Sequence, residues 1–209
     1  MRKPSTLNQN RSLIDIICGI DEAGRGPLIG NVLAGAVILD LKNPIPGLKD
    51  SKKLSHQKRL ELYQIIIDHS LAWGIGQATP AEIDQINILQ ATFLAMRRAL
   101  DNLINKFSIS PDLVFVDGNQ DPKLSFPTKT IIKGDALEPC ISAASILAKV
   151  TRDQQMLELH HLHPQYGFDQ HMGYPTKKHL ESIEANGLIP GYRMSFGPIK
   201  KVFEREKNA

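Results

Sequence analysis

Three short apolar runs that end at carboxylates beside glycines constrain this chain more than any other feature. Residues 14–20 lead directly into Asp21-Glu22 and a glycine turn, 113–116 into Asp117-Gly118, and 128–132 into Lys133-Gly134-Asp135. Runs of this length, rich in β-branched residues and bounded by glycine, suit strands buried on one or both faces. Residues 32–39 and 71–78 have the same character. Helical spacing separates them. Ser55 can cap a helix over 55–69 with Leu60, Tyr63 and Ile67 on one face, and 87–107 sets Ile88, Leu89, Phe93, Leu94, Met96, Leu100, Leu103 and Ile104 against Arg97, Arg98 and Asp101. A helix over about 142–160 opens with Ala143, Ala144, Ser145 and Ala148, small enough to approach a sheet closely, and another over 176–186 closes at Gly187. The expected fold class is α/β: a mixed central sheet flanked by helices, with a small helical C-terminal extension.

With 209 residues, 42% of them hydrophobic, the chain can bury the core of one large domain. No uncharged apolar stretch approaches the roughly 20 residues a bilayer span needs, and Asp15 interrupts the run from Leu13 to Ile20. No membrane partner is expected. Residues 1–12 are basic and polar without the apolar segment of an export signal, and read as a loose tail. Cys18 and Cys140 lie too far apart for a close-spaced zinc signature, which fits a reducing cytoplasm. The formal charge is only +3, but residues 1–169 balance at 18 basic and 18 acidic, so the excess falls in 170–209, with 7 basic and 4 acidic. That asymmetry suggests a phosphate-facing C-terminal segment.

If the strand ends share one edge of a sheet, Asp21, Glu22, Asp117 and Asp135 gather there. Like charges at close range raise one another's pKa, whereas a divalent cation reverses the penalty. A set of oxygen donors without Cys or His selects hard ions, Mg²⁺ or Mn²⁺, over zinc. Each acid taken singly also fits an ordinary solvated turn. The loop Gly24-Arg25-Gly26-Pro27 lets backbone N–H groups approach an anion or a sugar hydroxyl while Arg25 supplies a fixed charge, although a plain tight turn fits equally. Asp50-Ser51-Lys52-Lys53 and the trio Lys149, Arg152 and Asp153 read as solvated faces. His160, His161, His163, His171 and His179 match no zinc spacing and read as structural or surface groups. Tyr174 stands in a turn before a basic helix, where it either packs inward or stacks on a base or sugar.

The ordered blocks GIDEAGRGPLIGNV (19–32), LKDSKKLS (48–55), INILQATFLAM (86–96), VDGN (116–119), IIKGDAL (131–137), ISAASILAKVTRD (141–153), PQYGFDQHMGYPTKKH (164–179) and SFGPIK (195–200) resemble bacterial ribonuclease HII, the type 2 ribonuclease H family. The resemblance covers nearly everything after the tail. It implies a ribonuclease H-like catalytic domain over 13–160 and a helical segment over 161–209 that contributes to substrate binding. It further implies hydrolysis of the RNA strand of RNA–DNA hybrids, and cutting on the 5′ side of ribonucleotides embedded in duplex DNA. Two divalent ions, Mg²⁺ or Mn²⁺, would act in that scheme, leaving 3′-hydroxyl and 5′-phosphate ends. The family's metal-binding acids fall on Asp21, Glu22 and Asp117, and its fourth active-site acid on Asp135, with Asp153 as the rival. The loop Gly24, Arg25 and Gly26 matches its ribose-reading element, and Tyr174 its junction-sensing tyrosine. Two positions depart from the pattern: Met172 and Met194 stand where the family usually carries basic residues. A related-fold DNA nuclease, a non-catalytic hybrid-binding module and a small-molecule phosphatase are the alternatives.

Overall fold

The computed structural model describes residues 16–48 and 54–207. The tail 1–12 and the segment Asp50-Ser51-Lys52-Lys53 lie outside the described residues. Five strands form one sheet in the order β3-β2-β1-β4-β5: β1 is Ile17–Ala23, β2 Val32–Ile38, β3 Ala72–Ala78, β4 Leu113–Asp117 and β5 Thr128–Ile131. Strands β1 to β3 pair antiparallel, whereas β4 and β5 run parallel to β1, so the sheet is mixed as expected.

The helices are α1 (His56–His69), α2 (Pro80–Phe107), α3 (Gly134–Leu137), α4 (Pro139–Leu162), α5 (Phe168–His171), α6 (Lys177–Asn186) and α7 (Gly197–Lys207). One face of the sheet packs on α2 through Ala91, Ala95, Ala99 and Leu103, with Cys18, Ile20, Val114 and Val116 opposite. The other face carries α4 and α1 through Ala143, Ala144, Ile146, Leu147, Leu62 and Ile66. Small residues on both sides set the depth of this packing: a Cβ at Gly19 would strike the Cys140 backbone, and one at Gly35 the Ala144 carbonyl. Helix α4 therefore presses its backbone against β1 and β2, as its run of small residues predicts.

Three boundaries differ from expectation. The strand β1 extends to Ala23, so Asp21 and Glu22 lie within it, paired with Gly35 and Ala34, because β2 continues alongside to that point. Helix α2 begins at Pro80, capped by Thr79 in a reciprocal capping box with Glu82. Its interior is broken at Asn87, where φ is 67° and ψ 165°, and the Asn87 side chain accepts from the N–H groups of Leu89 and Gln90. The pattern read from Asn87 onward thus marks a true second start. Finally, Asp135 does not end a strand: Lys133 adopts a left-handed conformation, φ 59°, and turns the chain into α3.

The last fifth of the chain has its own core, in which Tyr166, Phe168, Ile183, Tyr192 and Ile199 pack on Leu28, Ile29 and Met156. Inside it His171 and His179 stack at 4.3 Å. His179 Nδ1 donates to the Tyr174 carbonyl at 2.9 Å, and Nε2 lies 2.9 Å from the Tyr192 hydroxyl, from which it accepts when the ring is neutral. Burial holds its pKa down at about 4, against 6.5 for a free imidazole. Between these values the unfolded chain binds a proton that the folded chain refuses, so stability is lost as pH falls from 6.5 toward 4. Melting temperature should drop over that window, and His179→Gln should flatten the drop; an unchanged acid limb in the variant would refute this.

Candidate active site

The alternation of a strand separates two adjacent acids onto opposite faces. Asp21 turns to the α4 face, where the Ser145 side chain hydrogen-bonds it, and Glu22 turns to the α2 face. Parallel pairing of β1 with β4 in the register Ile20↔Val116 sets Asp117 beside Asp21. This is the carboxyl edge of neighbouring parallel strands, where open α/β sheets place their ligands.

Asp21 is buried, and its carboxyl is held well above the usual carboxylate range by burial first and then by the charges of Glu22 and Asp117. The Ser145 hydrogen bond and the Glu22 N–H, at 2.7 Å, offset only part of this. Burial also raises Glu22, opposed by Arg25, whose Nη1 is 3.3 Å from its carboxylate. Asp117 accepts from the Gly134 N–H at 2.6 Å, which ties the end of β4 to α3 and brings the buried Asp135 in as the next residue. Three of the four acids are thus electrostatically linked, and the fourth adjoins them through the backbone. Among the described residues no three of His, Cys, Asp and Glu are gathered as a preformed cation cage. The fit to a hard divalent ion rests instead on the oxygen-only donor set and on a carboxyl pushed up by burial and by like charges.

A cleft of about 330 Å³ opens beside this edge, lined by Asp21, Glu22, Gly24, Arg25, Gly26, Ser145, Lys149, Arg152, Asp153 and Tyr174 among others. A second, of about 220 Å³, lies across Glu22 and Arg25 and is walled by Asp117, Asn119, Gln120 and Thr92. Gly24 has φ 90°, and a Cβ there would lie 2.5 Å from Arg152 Nε; a Cβ at Gly26 would lie 3.1 Å from the Tyr174 ring. Gly24 is therefore favoured by close approach and by its left-handed backbone alike, whereas Gly26 is favoured by its close approach to the ring alone. Tyr174 is 45% exposed, so it is not a core aromatic. Its backbone is held by the His171 carbonyl, which accepts its N–H at 2.8 Å, and by His179.

The trio read as a solvated face is a correction. Arg152 is 2% exposed and Asp153 is buried, and with Lys149 they wall the cleft. Lys149 Nζ lies 2.7 Å from the Asp153 carboxylate. Arg152 Nη2 donates to the Ile29 carbonyl at 3.0 Å, while its Nε and Nη1 find no partner among the described residues. Burial lowers its pKa to about 10 without discharging it at neutral pH. Helical spacing at Lys149, Arg152 and Asp153 gives a common face, but only the fold-back of the C-terminal segment makes that face a cleft wall.

Residues 18–197 match the family Ribonuclease HII. The ribonuclease HII of Polynucleobacter asymbioticus is 57% identical over 188 residues, covering 90% of this chain and 96% of that protein. The crystal structure of ribonuclease H2 from Pyrococcus horikoshii superposes with a TM-score of 0.78 at 30% identity, covering 93% of this chain and all of that one. Bst-RNase HIII in complex with Mn²⁺ shares the fold at 17% identity, with a TM-score of 0.73, covering 93% of this chain and 71% of its own. Carboxylates at the parallel strand ends, a glycine loop beside them and a match that runs from β1 through α6 agree: this chain belongs to the ribonuclease HII family of nucleases.

Proposed function

We propose that this enzyme hydrolyses the RNA strand of RNA–DNA hybrids and cuts on the 5′ side of ribonucleotides embedded in duplex DNA, leaving 3′-hydroxyl and 5′-phosphate ends. The observation that carries the reading is the buried Asp21, crowded by Glu22 and Asp117, at the mouth of a cleft whose other wall is a glycine loop under an exposed tyrosine. Asp21, Glu22, Asp117 and Asp135 would hold Mg²⁺ or Mn²⁺, and the Mn²⁺ complex of the HIII relative is in keeping with that chemistry. When bound, such ions supply Lewis acidity to an attacking water and to the leaving 3′-oxygen.

The remaining work falls to groups of the chain itself. Backbone N–H groups of the Gly24–Gly26 loop are suited to the 2′-hydroxyl, the one atom that separates RNA from DNA at a single position. Tyr174 offers a ring face to the sugar on the far side of the junction. Lys149, which lines the cleft, offers positive charge to the backbone phosphates, and the buried Arg152 adds its charge to the field of the cleft from behind the wall. The segment 161–209 contributes to substrate binding by carrying Tyr174.

Asp135 rather than Asp153 is assigned the fourth acidic role, because it directly follows Gly134, whose N–H the Asp117 carboxylate accepts, and so stands next to that acid. Asp135→Asn should lower kcat by about 100-fold or more, and Asp153→Asn by clearly less. The reverse order in single-turnover assays would move the role to Asp153. The substrate class is tested by divalent-dependent digestion of four end-labelled duplexes: all DNA, all RNA, hybrid, and DNA with one ribonucleotide. Cutting of the last two, 5′ to the ribonucleotide, is expected; cutting of the all-DNA duplex would overturn the reading.

A further inference from the structure

The C-terminal segment carries the charge excess, yet one of its cations, Arg193, is fully buried. It faces no carboxylate within ion-pair distance among the described residues. Its guanidinium instead donates to four main-chain carbonyls of one loop: Gly24 at 2.6 Å, Pro27 at 2.8 Å, and Arg25 and Gly30 at 3.0 Å each. The flanking backbone completes the grip. The Arg193 N–H donates to the Leu28 carbonyl, Leu28 N–H to Gly173, and Gly30 N–H to Gly191.

A trans peptide sets its C=O and N–H on opposite sides, and none of the described peptides is cis. Drawing the Gly24 and Arg25 carbonyls onto Arg193 therefore turns the N–H groups of Arg25 and Gly26 the other way, toward the cleft that these residues line. Neither N–H has an acceptor among the described residues. Two adjacent free donors facing outward form a small nest for an oxygen. We infer that Arg193 is a positioning residue: it holds the glycine loop by its carbonyls so that the Arg25 and Gly26 N–H groups stand ready for substrate. The inference rests on the ribose-reading role given above to that loop. It also gives the C-terminal segment a task that a surface phosphate contact does not, since the same stretch delivers Tyr174 over Gly26.

Lysine at this position keeps the charge but has no fork to span several carbonyls. Arg193→Lys in the full chain should cut a lone ribonucleotide with kcat about 100-fold lower and KM within threefold, because misplacement of donors costs rate more than binding. In the wild type without divalent ions, the Arg25 and Gly26 amides should exchange freely with solvent and become protected by a duplex containing one ribonucleotide, not by all-DNA duplex. Full kcat in R193K, or amides already protected in the free wild type, would overturn the clamp. The exchange measurement decides alone if R193K does not fold. A failure of ribose reading shows separately: amides free in the wild type and altered in R193K support the clamp even where a ribonucleotide leaves them unprotected.

Discussion

Asp21→Asn is expected to abolish cleavage, by roughly a thousandfold or more, while raising the melting temperature of the metal-free protein. Burial and the charges of Glu22 and Asp117 raise the folded pKa of Asp21 above its unfolded value of 3.8. The folded state then holds a proton that the unfolded state has released. The associated stability is complete below 3.8 and is lost as pH rises through the raised value, so the ionised carboxylate burdens the fold at neutral pH. Asparagine keeps the shape and removes that burden. At this chain length each kcal/mol recovered moves the midpoint by about 2 to 4 °C. Added Mn²⁺ should invert the comparison, stabilising the wild type through binding to the native state and leaving the variant nearly unmoved. Comparable turnover in the variant, or a variant that melts lower than wild type without metal, would contradict the role assigned to this carboxyl.

Tyr174→Ala should slow cutting at a lone ribonucleotide by about 10- to 100-fold, the range that loss of one aromatic stacking partner spans. The same change should do less on a long hybrid, where many positions can be cut. Stability should scarcely respond, since the ring is half exposed and its backbone stays anchored by His171 and His179. Equal loss on both substrates, together with a large fall in melting temperature, would mean that the ring supports the C-terminal core instead of a sugar. Tyr174→Phe separates the contributions, because it retains the face over Gly26 and removes only the hydroxyl.

Much of this site was legible before any fold was known. Strand-like runs leading to Asp21, Asp117 and the Gly134-Asp135 turn suggested a shared edge, and the parallel pairing of β1 with β4 sets Asp21 beside Asp117. The helix over 87–107 was legible from its apolar spacing, but the turns from Pro80 to Ile86 that precede the break at Asn87 were not read. What misled was charge. Lys149, Arg152 and Asp153 recur at helical spacing, and such a face is ordinarily wet; here Arg152 and Asp153 are buried because residues 166–199 fold back on Leu28 and Ile29. The histidines lacked a metal spacing and are in fact split, with His171 and His179 stacked and buried behind Tyr174.

The order of residues alone determined the chemistry on offer: which carboxylates follow which strands, where glycine permits close approach, and where an aromatic precedes a helix. Local patterns suffice for that, since alternation, caps and turns depend on neighbours within a few positions. Tertiary structure decided which of those groups meet. Pairing of β1 with β4 joins acids nearly a hundred positions apart, and closure of the C-terminal segment buries Arg193 against the loop at 24–30. The energy of a charge depends on the dielectric and the partners around it, and those are properties of the folded whole.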